Sequence, residues 1–209
     1  MSLLSWLLPH RCPYCDTVIT GQQTECDHCR AQFPDGVYVR SLSEGVCIAP
    51  FGYDGAVRES ILRMKKDGLH TRANSFGRRI GQMVRSMGIA PDIVTSIPMY
   101  PPDQRQRGFN QAELLAEEIS SLLKIPMKPA LVERVRPTTA QKELGAYERR
   151  KNLKKAFKIG QNDVKLDSII VVDDIFTTGS TIDGVARVLK EAGAKKVYAA
   201  TLAIGMPKK

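Results

Sequence analysis

No apolar run in this chain is long enough to cross a membrane; charge breaks each one well short of the about 20 residues that a span needs. The apolar opening at 3–8, within MSLLSWLLPH, lacks the basic lead-in and the small-residue cleavage site of an export signal. It reads as a short amphipathic helix that packs, and a cytoplasmic protein is expected. Aromatic residues make up only 6% of the chain. The basic stretch 134–157 holds just Tyr147 and Phe157 among them, which limits base stacking there. Internal repeats and low-complexity segments are absent, so solenoid architectures are set aside. Acidic residues are outnumbered, 22 against 31 basic ones, for a formal charge of +9. That excess favours phosphates, nucleotides or nucleic acid as partners, and it is equally compatible with a plain soluble basic surface.

What remains is ample for a core. With 209 residues, 43% of them hydrophobic, the chain accommodates one α/β domain plus a small appendage, and disordered or fibrous classes are excluded.

Cys12, Cys15, Cys26 and Cys29 form two C-x-x-C knuckles, CPYC and CDHC, separated by ten residues. Paired knuckles place four thiolates around one zinc ion, and Pro13 and Gly21 suit the tight turns this requires. A redox dithiol needs only one pair, and a disulfide scaffold needs an oxidising compartment that nothing signals. His28 is a spare ligand that four cysteines make unnecessary. A site closed by four thiolates has no open position, so the zinc is structural. Cys47, in VCIAPF, reads as a buried core residue.

From residue 46 onward apolar runs alternate with amphipathic stretches, the pattern of a mostly parallel sheet flanked by helices. Strands are predicted at 46–51, 92–97, 131–135, 168–172 and 196–202, and helices at 56–66, 71–87, 111–123 and 181–191. A polar connector is read at 33–45. The chain thus divides into an N-terminal helix and zinc ribbon at 1–40 and an α/β domain at 46–209.

The segment IIVVDDIFTTGST, Ile169 to Thr181, carries the most chemistry. Four apolar β-formers predict a central strand ending in Asp173 and Asp174. Small polar residues then lead into a helical pattern, a setting in which backbone N–H groups, hydroxyls and the helix dipole surround a phosphate. Adjacent carboxylates accept hydrogen bonds from vicinal ribose hydroxyls and help to hold hydrated Mg2+ nearby. A bland alternative leaves the acids solvated at a strand end. A receiver-type acid pair is excluded, since only 35 residues follow Asp174.

Every position of this segment matches the phosphoribosyl-diphosphate signature that it resembles, that of type I phosphoribosyltransferases. The resemblance implies that fold, with Asp173 and Asp174 on the ribose hydroxyls and Thr177, Thr178, Gly179, Ser180 and Thr181 around the 5-phosphate. Transfer from such a ligand also needs cations for its departing pyrophosphate. Two basic loops are expected to supply them: Met64 to Gly68, and a segment from Pro98 to Gln111 containing RQRGFNQ.

The order of cysteine knuckles, KxxG loop, RxRGFNQ segment, Arg136 with Gln141, then Glu148-Arg149-Arg150 with Asn152 and the acid pair closely resembles the ComF family of competence-associated phosphoribosyltransferase-like proteins. Family likeness puts Lys65 and Gly68 in a pyrophosphate loop and Arg105, Arg107, Asn110 and Gln111 beside a mobile hood. Asp173, Asp174 and Arg105 are the expected catalytic residues. The stretch 134–157 has three readings: a lid whose arginines meet phosphate, a nucleic-acid face, or a solvated helix.

One feature departs from purine-salvage enzymes. Thr177 stands where some of them place an acid that exchanges a proton with the base. Position 2 is a serine and the N-terminal cysteines are committed to zinc, which sets aside amidotransferase chemistry. Three functions stay in play. The first is a ComF-like protein that binds phosphoribosyl diphosphate with Mg2+, transfers its sugar and serves DNA uptake. The second is a nucleobase-salvage transferase, and the third is a nonenzymatic module that handles single-stranded DNA or competence proteins and senses a ligand.

Overall fold

Ile169, Ile170, Val171 and Val172 are fully buried, which requires cover on both faces of their strand. The computed structural model describes residues 11–20, 23–33, 36–67, 70–136, 156–160 and 167–205. The expected N-terminal helix at 3–8, Gly68 and most of the basic stretch lie outside the described residues. The strands are β1 (Tyr38–Leu42), β2 (Gly45–Ala49), β3 (Phe51–Gly52), β4 (Ile93–Ser96), β5 (Val132–Arg134), β6 (Phe157–Ile159), β7 (Ser168–Phe176) and β8 (Lys196–Ile204). The helices are α1 (Asp27–Gln32), α2 (Gly55–Asp67), α3 (His70–Ser86), α4 (Pro101–Arg107), α5 (Gln111–Leu123) and α6 (Ser180–Glu191).

The main sheet has the order β1-β2-β8-β7-β4, with β3 continuing the line of β2 along β8. All its pairings are parallel except β1 with β2. One face buries Val57, Ile61 and Met64 of α2, Phe76 and Ile80 of α3, and Leu115 and Ile119 of α5. The other buries Ile182, Val185 and Leu189 of α6, with Val132 and Phe157 of β5 and β6. Recurrence of these residues at helical spacing explains why the helices form where they do. Each large side chain so removed from water contributes about 1.5–3 kcal/mol.

Three segments differ from the sequence expectation. The connector at 33–45 contains β1, whose alternating exposure befits an edge strand and whose register with β2 is set by a tight turn at Ser43. The predicted strand at 131–135 is not in the main sheet; it forms a separate antiparallel pair with β6 beside α6. The basic segment after β4 is a helix, α4, rather than a loop. Its start carries proline at the first turn, and Gly108 at φ 84° ends it by donating its N–H to the Gln104 carbonyl.

Helices α3 and α5 cross closely at Gly77. A Cβ added there meets Glu118 Cβ at 2.7 Å and the Leu115 carbonyl oxygen at 2.9 Å. Gly77→Ala is therefore expected to cost about 1–3 kcal/mol by overpacking, a fall of roughly 2–10 °C in melting temperature by calorimetry. An unchanged melting temperature would show that the crossing is loose.

Candidate functional site

Strand β7 outruns its neighbour. Its pairing with β4 ends at Val172 and Ser96, whereas its pairing with β8 continues through Asp173 and Thr201 to Phe176 and Ile204. The strand thus does not stop at Val172, as its sequence implies; the acids are still in β conformation. They emerge at the carboxyl end of a parallel sheet, where one flank is no longer covered, the position in which open α/β sheets bind ligands.

Lys65, in the last turns of α2, reaches this end of the sheet and pairs with Asp174, Nζ to Oδ2 2.6 Å. The expected pyrophosphate lysine and an expected ribose acid are brought together although they are far apart in the chain. Asp173 Oδ1 accepts the Asp174 backbone N–H at 2.9 Å. Burial pushes the Asp173 carboxyl up from 3.8 to about 8; the Asp174 charge adds to the rise, while the Asp174 N–H, Lys65 and Arg134 oppose it. Beside Asp173, on β8, lies Thr201, whose hydroxyl is 3.8 Å from the buried thiol of Cys47. Burial pushes that thiol up to about 12, as expected of a core cysteine rather than a nucleophile.

Beyond the acids, Phe176 turns back into the core and its carbonyl accepts the Gly205 N–H at 2.7 Å. Residues Thr177 to Ile182 then curve around a small cavity whose wall also includes Asp173, Ile175 and Phe176. Gly179, at φ 75°, is the N-cap of α6, and a Cβ there would lie 2.7 Å from the Phe176 ring. Only glycine combines that backbone with that contact. Because it has no side chain, it leaves the start of α6 without a side-chain cap. Helix N–H groups, the Thr178 and Ser180 hydroxyls (3.0 Å apart) and the helix dipole converge on one hollow. Asp183, the acid of the first turn, is held aside by the Ser43 N–H at 2.8 Å.

The second expected basic segment is arranged differently. Arg105 and Arg107 are exposed in the last turn of α4, and Arg107 donates to Gln111 Oε1 at 3.1 Å. Asn110 is buried and serves the fold directly: it donates to the Ile97 carbonyl at 3.0 Å and caps α5 by accepting from the Ala112 N–H. Gln111 is buried too, with its Nε2 lacking a hydrogen-bond partner. Arg134, on β5, has no motif to single it out, since in the sequence it is one of many cations in a basic stretch. Its signal is positional, two residues beyond the apolar Val132 on a predicted strand.

The four N-terminal sulfurs lie within 4.8 Å of one another, with Cys15 and Cys26 at 3.5 Å. Tetrahedral zinc with bonds of about 2.3 Å requires sulfur separations of about 3.8 Å, so the tetrad fits that ion. Cys26 Sγ also accepts the Cys29 N–H, the type of bond that orients a metal thiolate. His28 is exposed and lies outside this group.

The knuckles are welded to α2 and α3. Tyr14 stacks on Phe33 at 4.9 Å and meets Phe51 and Phe76 edge-on, and its carbonyl accepts from Ser60 and Arg63. Arg72 binds Asp16 at 2.6 Å, and Arg79 binds Glu25 at 3.0 Å while its guanidinium lies over Phe51. Among the described residues no helix is long and apolar enough to cross a membrane.

Residues 110–209 match the phosphoribosyl transferase domain family. Competence protein F of Haemophilus influenzae is 37% identical over 109 residues, 51% of this chain and 48% of that one, so the match spans about half of its length. DNA utilization protein YhgH of Salmonella typhimurium is 29% identical over 191 residues, 89% of this chain and 80% of that one. Competence protein ComFC of Streptococcus pneumoniae is 30% identical over 190 residues, 89% of this chain and 77% of that one.

Proposed function

Because this chain belongs to the ComF family of competence-associated, phosphoribosyltransferase-like proteins, we propose that it binds 5-phosphoribosyl 1-diphosphate with Mg2+ at the end of β7 and transfers the phosphoribosyl group. The observation that carries this reading is the Lys65–Asp174 pair beside an uncapped α6 N-terminus, which gathers a diphosphate cation, sugar acceptors and a phosphate cradle at one sheet end. In this reading Asp173 and Asp174 accept the ribose hydroxyls, and residues Thr177 to Thr181 hold the 5-phosphate. Lys65 turns from Asp174 to the diphosphate, helped by Gly68 and by Arg105 and Arg107 of α4. Asn110 and Gln111 anchor the start of α5 below that helix. Bound Mg2+ neutralises diphosphate charge. The bond from the anomeric carbon to the diphosphate oxygen breaks, pyrophosphate leaves with the electron pair, and an acceptor atom bonds to the carbon and gives up a proton. Thr177 offers no carboxylate for that proton, which distinguishes the site from purine-salvage enzymes that use a loop acid.

In the same reading the four-cysteine segment is a structural zinc module, and the phosphoribosyltransferase-like domain that carries it begins with β1 at Tyr38, ahead of the boundary at 46 expected from the sequence. The names of the relatives, competence proteins and a DNA utilization protein, support a role in handling DNA during competence.

Calorimetry with phosphoribosyl diphosphate and Mg2+ tests the binding; saturable one-site heat that depends on Mg2+ is expected, and none would sink the reading. Incubation of that complex with a nucleobase panel, with released pyrophosphate as the readout, tests transfer. Binding without pyrophosphate release would favour a ligand-sensing module over an enzyme.

A further inference from the structure

Helix α2 carries Lys65 to the end of β7 and is gripped from behind by the first cysteine knuckle. Its inner face buries Val57, Ile61 and Met64 in the core. Ser60, on that same face, is fully buried, and its Oγ donates to the Tyr14 carbonyl at 3.3 Å. Three residues on, Arg63 donates to the same carbonyl through Nη2. Tyr14 stands between Cys12 and Cys15 and is buried among the rings of Phe33, Phe51 and Phe76, so the acceptor is a fixed point. Lys65 lies two residues beyond Arg63, about 3 Å along the helix axis, and its Nζ is 2.6 Å from Asp174 Oδ2. Among the described residues, the polar side chains of α2 reach other elements at these two places, the knuckle carbonyl and the acid.

The knuckle also holds the chain on the far side of Lys65. Arg72, near the start of α3, donates to the Pro13 carbonyl at 3.4 Å and pairs with Asp16 at 2.6 Å. Arg63 is itself largely buried, and its Nε has no hydrogen-bond partner. An arginine that served only to solvate a helix would keep its head group in water. Two arginines with Lys65 between them therefore converge on the short segment Pro13 to Asp16. Groups that bind a ligand together must be held to within about 0.5 Å, and here part of the holding is done from outside the sheet.

We propose that the CPYC knuckle is a positioning element of the ligand site: by holding α2 through Ser60 and Arg63, it sets where the Lys65 ammonium stands at the end of β7. The inference rests on the phosphoribosyl reading given above, in which Lys65 serves the diphosphate. Arg63 is then a positioning residue that acts through Lys65. The consequence is specific: Arg63 matters for a diphosphate and not for the 5-phosphate, which the loop after Phe176 holds. A knuckle that only stabilised the fold would affect both alike.

The test titrates the full chain with inorganic pyrophosphate and, separately, with ribose 5-phosphate, both in the presence of Mg2+. Lys65→Gln is expected to weaken pyrophosphate binding by about tenfold, the worth of one hydrogen bond to a charged group. Arg63→Met should weaken it by about three- to tenfold while leaving ribose 5-phosphate affinity within about twofold of wild type. The double variant should bind pyrophosphate within about twofold of Lys65→Gln alone, because a residue that acts through Lys65 then has nothing left to position. If Arg63→Met fails to fold, Ser60→Ala takes its place in the same cycle. Additive losses overturn the inference, as does pyrophosphate affinity that survives loss of the knuckle donor. An equal loss for both ligands also overturns it, because that marks a merely structural role. Lys65→Gln that binds pyrophosphate like wild type overturns it too, yet leaves the acid pair and the phosphate loop standing. Wild type that binds neither probe brings down the phosphoribosyl reading itself and the inference with it.

Discussion

Stripping the metal with a chelator, or substituting Cys29→Ser, is expected to lower the melting temperature by on the order of 10 °C or more. The size of the effect follows from where the knuckles sit. Cys12, Cys29 and Tyr14 are buried in the same cluster as Ile61, Met64, Phe76 and Ile80. Once the thiolates part, the aromatic stack of Tyr14, Phe33 and Phe51 loses its anchor. The same change removes the carbonyls of Pro13, Tyr14 and Phe33 and the carboxylates of Asp16 and Glu25 as fixed acceptors for Arg63, Arg72 and Arg79. A metal held by the four cysteines would thus fasten a surface of α2 and α3 as well as a short ribbon. Differential scanning calorimetry with metal analysis on the same samples decides the point. Purified protein with less than about half an equivalent of zinc, or an unmoved transition after verified metal loss, would refute the structural role.

The second large effect is on the ligand. Asp173→Ala combined with Asp174→Ala is expected to weaken phosphoribosyl diphosphate binding by at least about 100-fold, since at least two charge-assisted hydrogen bonds are lost at roughly 1.5–3 kcal/mol each. Equal calorimetric affinity for the variant and wild type would remove the acid pair from the site. The same residues should act oppositely on stability. The Asp173 carboxyl is raised from 3.8 to about 8 in the folded chain, chiefly by burial. Between those values the unfolded chain has released a proton that the folded chain retains, so stability falls as pH rises from about 4 to about 8. Below that window both states are protonated and the penalty vanishes; above it the penalty is constant. Asp173→Asn keeps the acceptor for the Asp174 N–H but carries no charge. It should therefore melt higher than wild type above pH 8, by a few degrees, with the difference shrinking toward pH 4. A variant that is less stable than wild type at high pH would contradict the assigned burial cost. A residue that costs stability in the empty protein yet gains binding in the loaded one is what a functional acid should look like.

Much of this is legible along the chain because the relevant physics is local. Helix α5 is predicted at 111–123 and occupies Gln111–Leu123, since Leu115 and Ile119 repeat at helical spacing. The small residues after Phe176 announce a phosphate-type turn, and Gly179 occupies the left-handed conformation that the turn demands. The α4 helix is also legible in principle, through its prolines and Gly108, but the charge of RQR points toward a loop instead. Strands β1 and β6 are harder. They are short and partly exposed, and such strands owe their existence to a partner rather than to their own periodicity.

The chemistry this protein carries is written in its order of residues: four thiolates at knuckle spacing, a buried strand that bears two acids, and a glycine-bearing loop that opens a helix. These are properties of neighbours in the chain, set by propensity, burial pattern and ligand type. What each group faces is a matter of the assembled sheet and its helices. Folding puts Lys65 on Asp174, packs β5 and β6 against α6, spends Asn110 on capping α5, and joins the cysteine knuckles to α2 and α3. Such pairings depend on strand order and on which side of the sheet each helix covers. A shift of one residue in β7 would exchange the faces of the two acids without changing the motif that contains them.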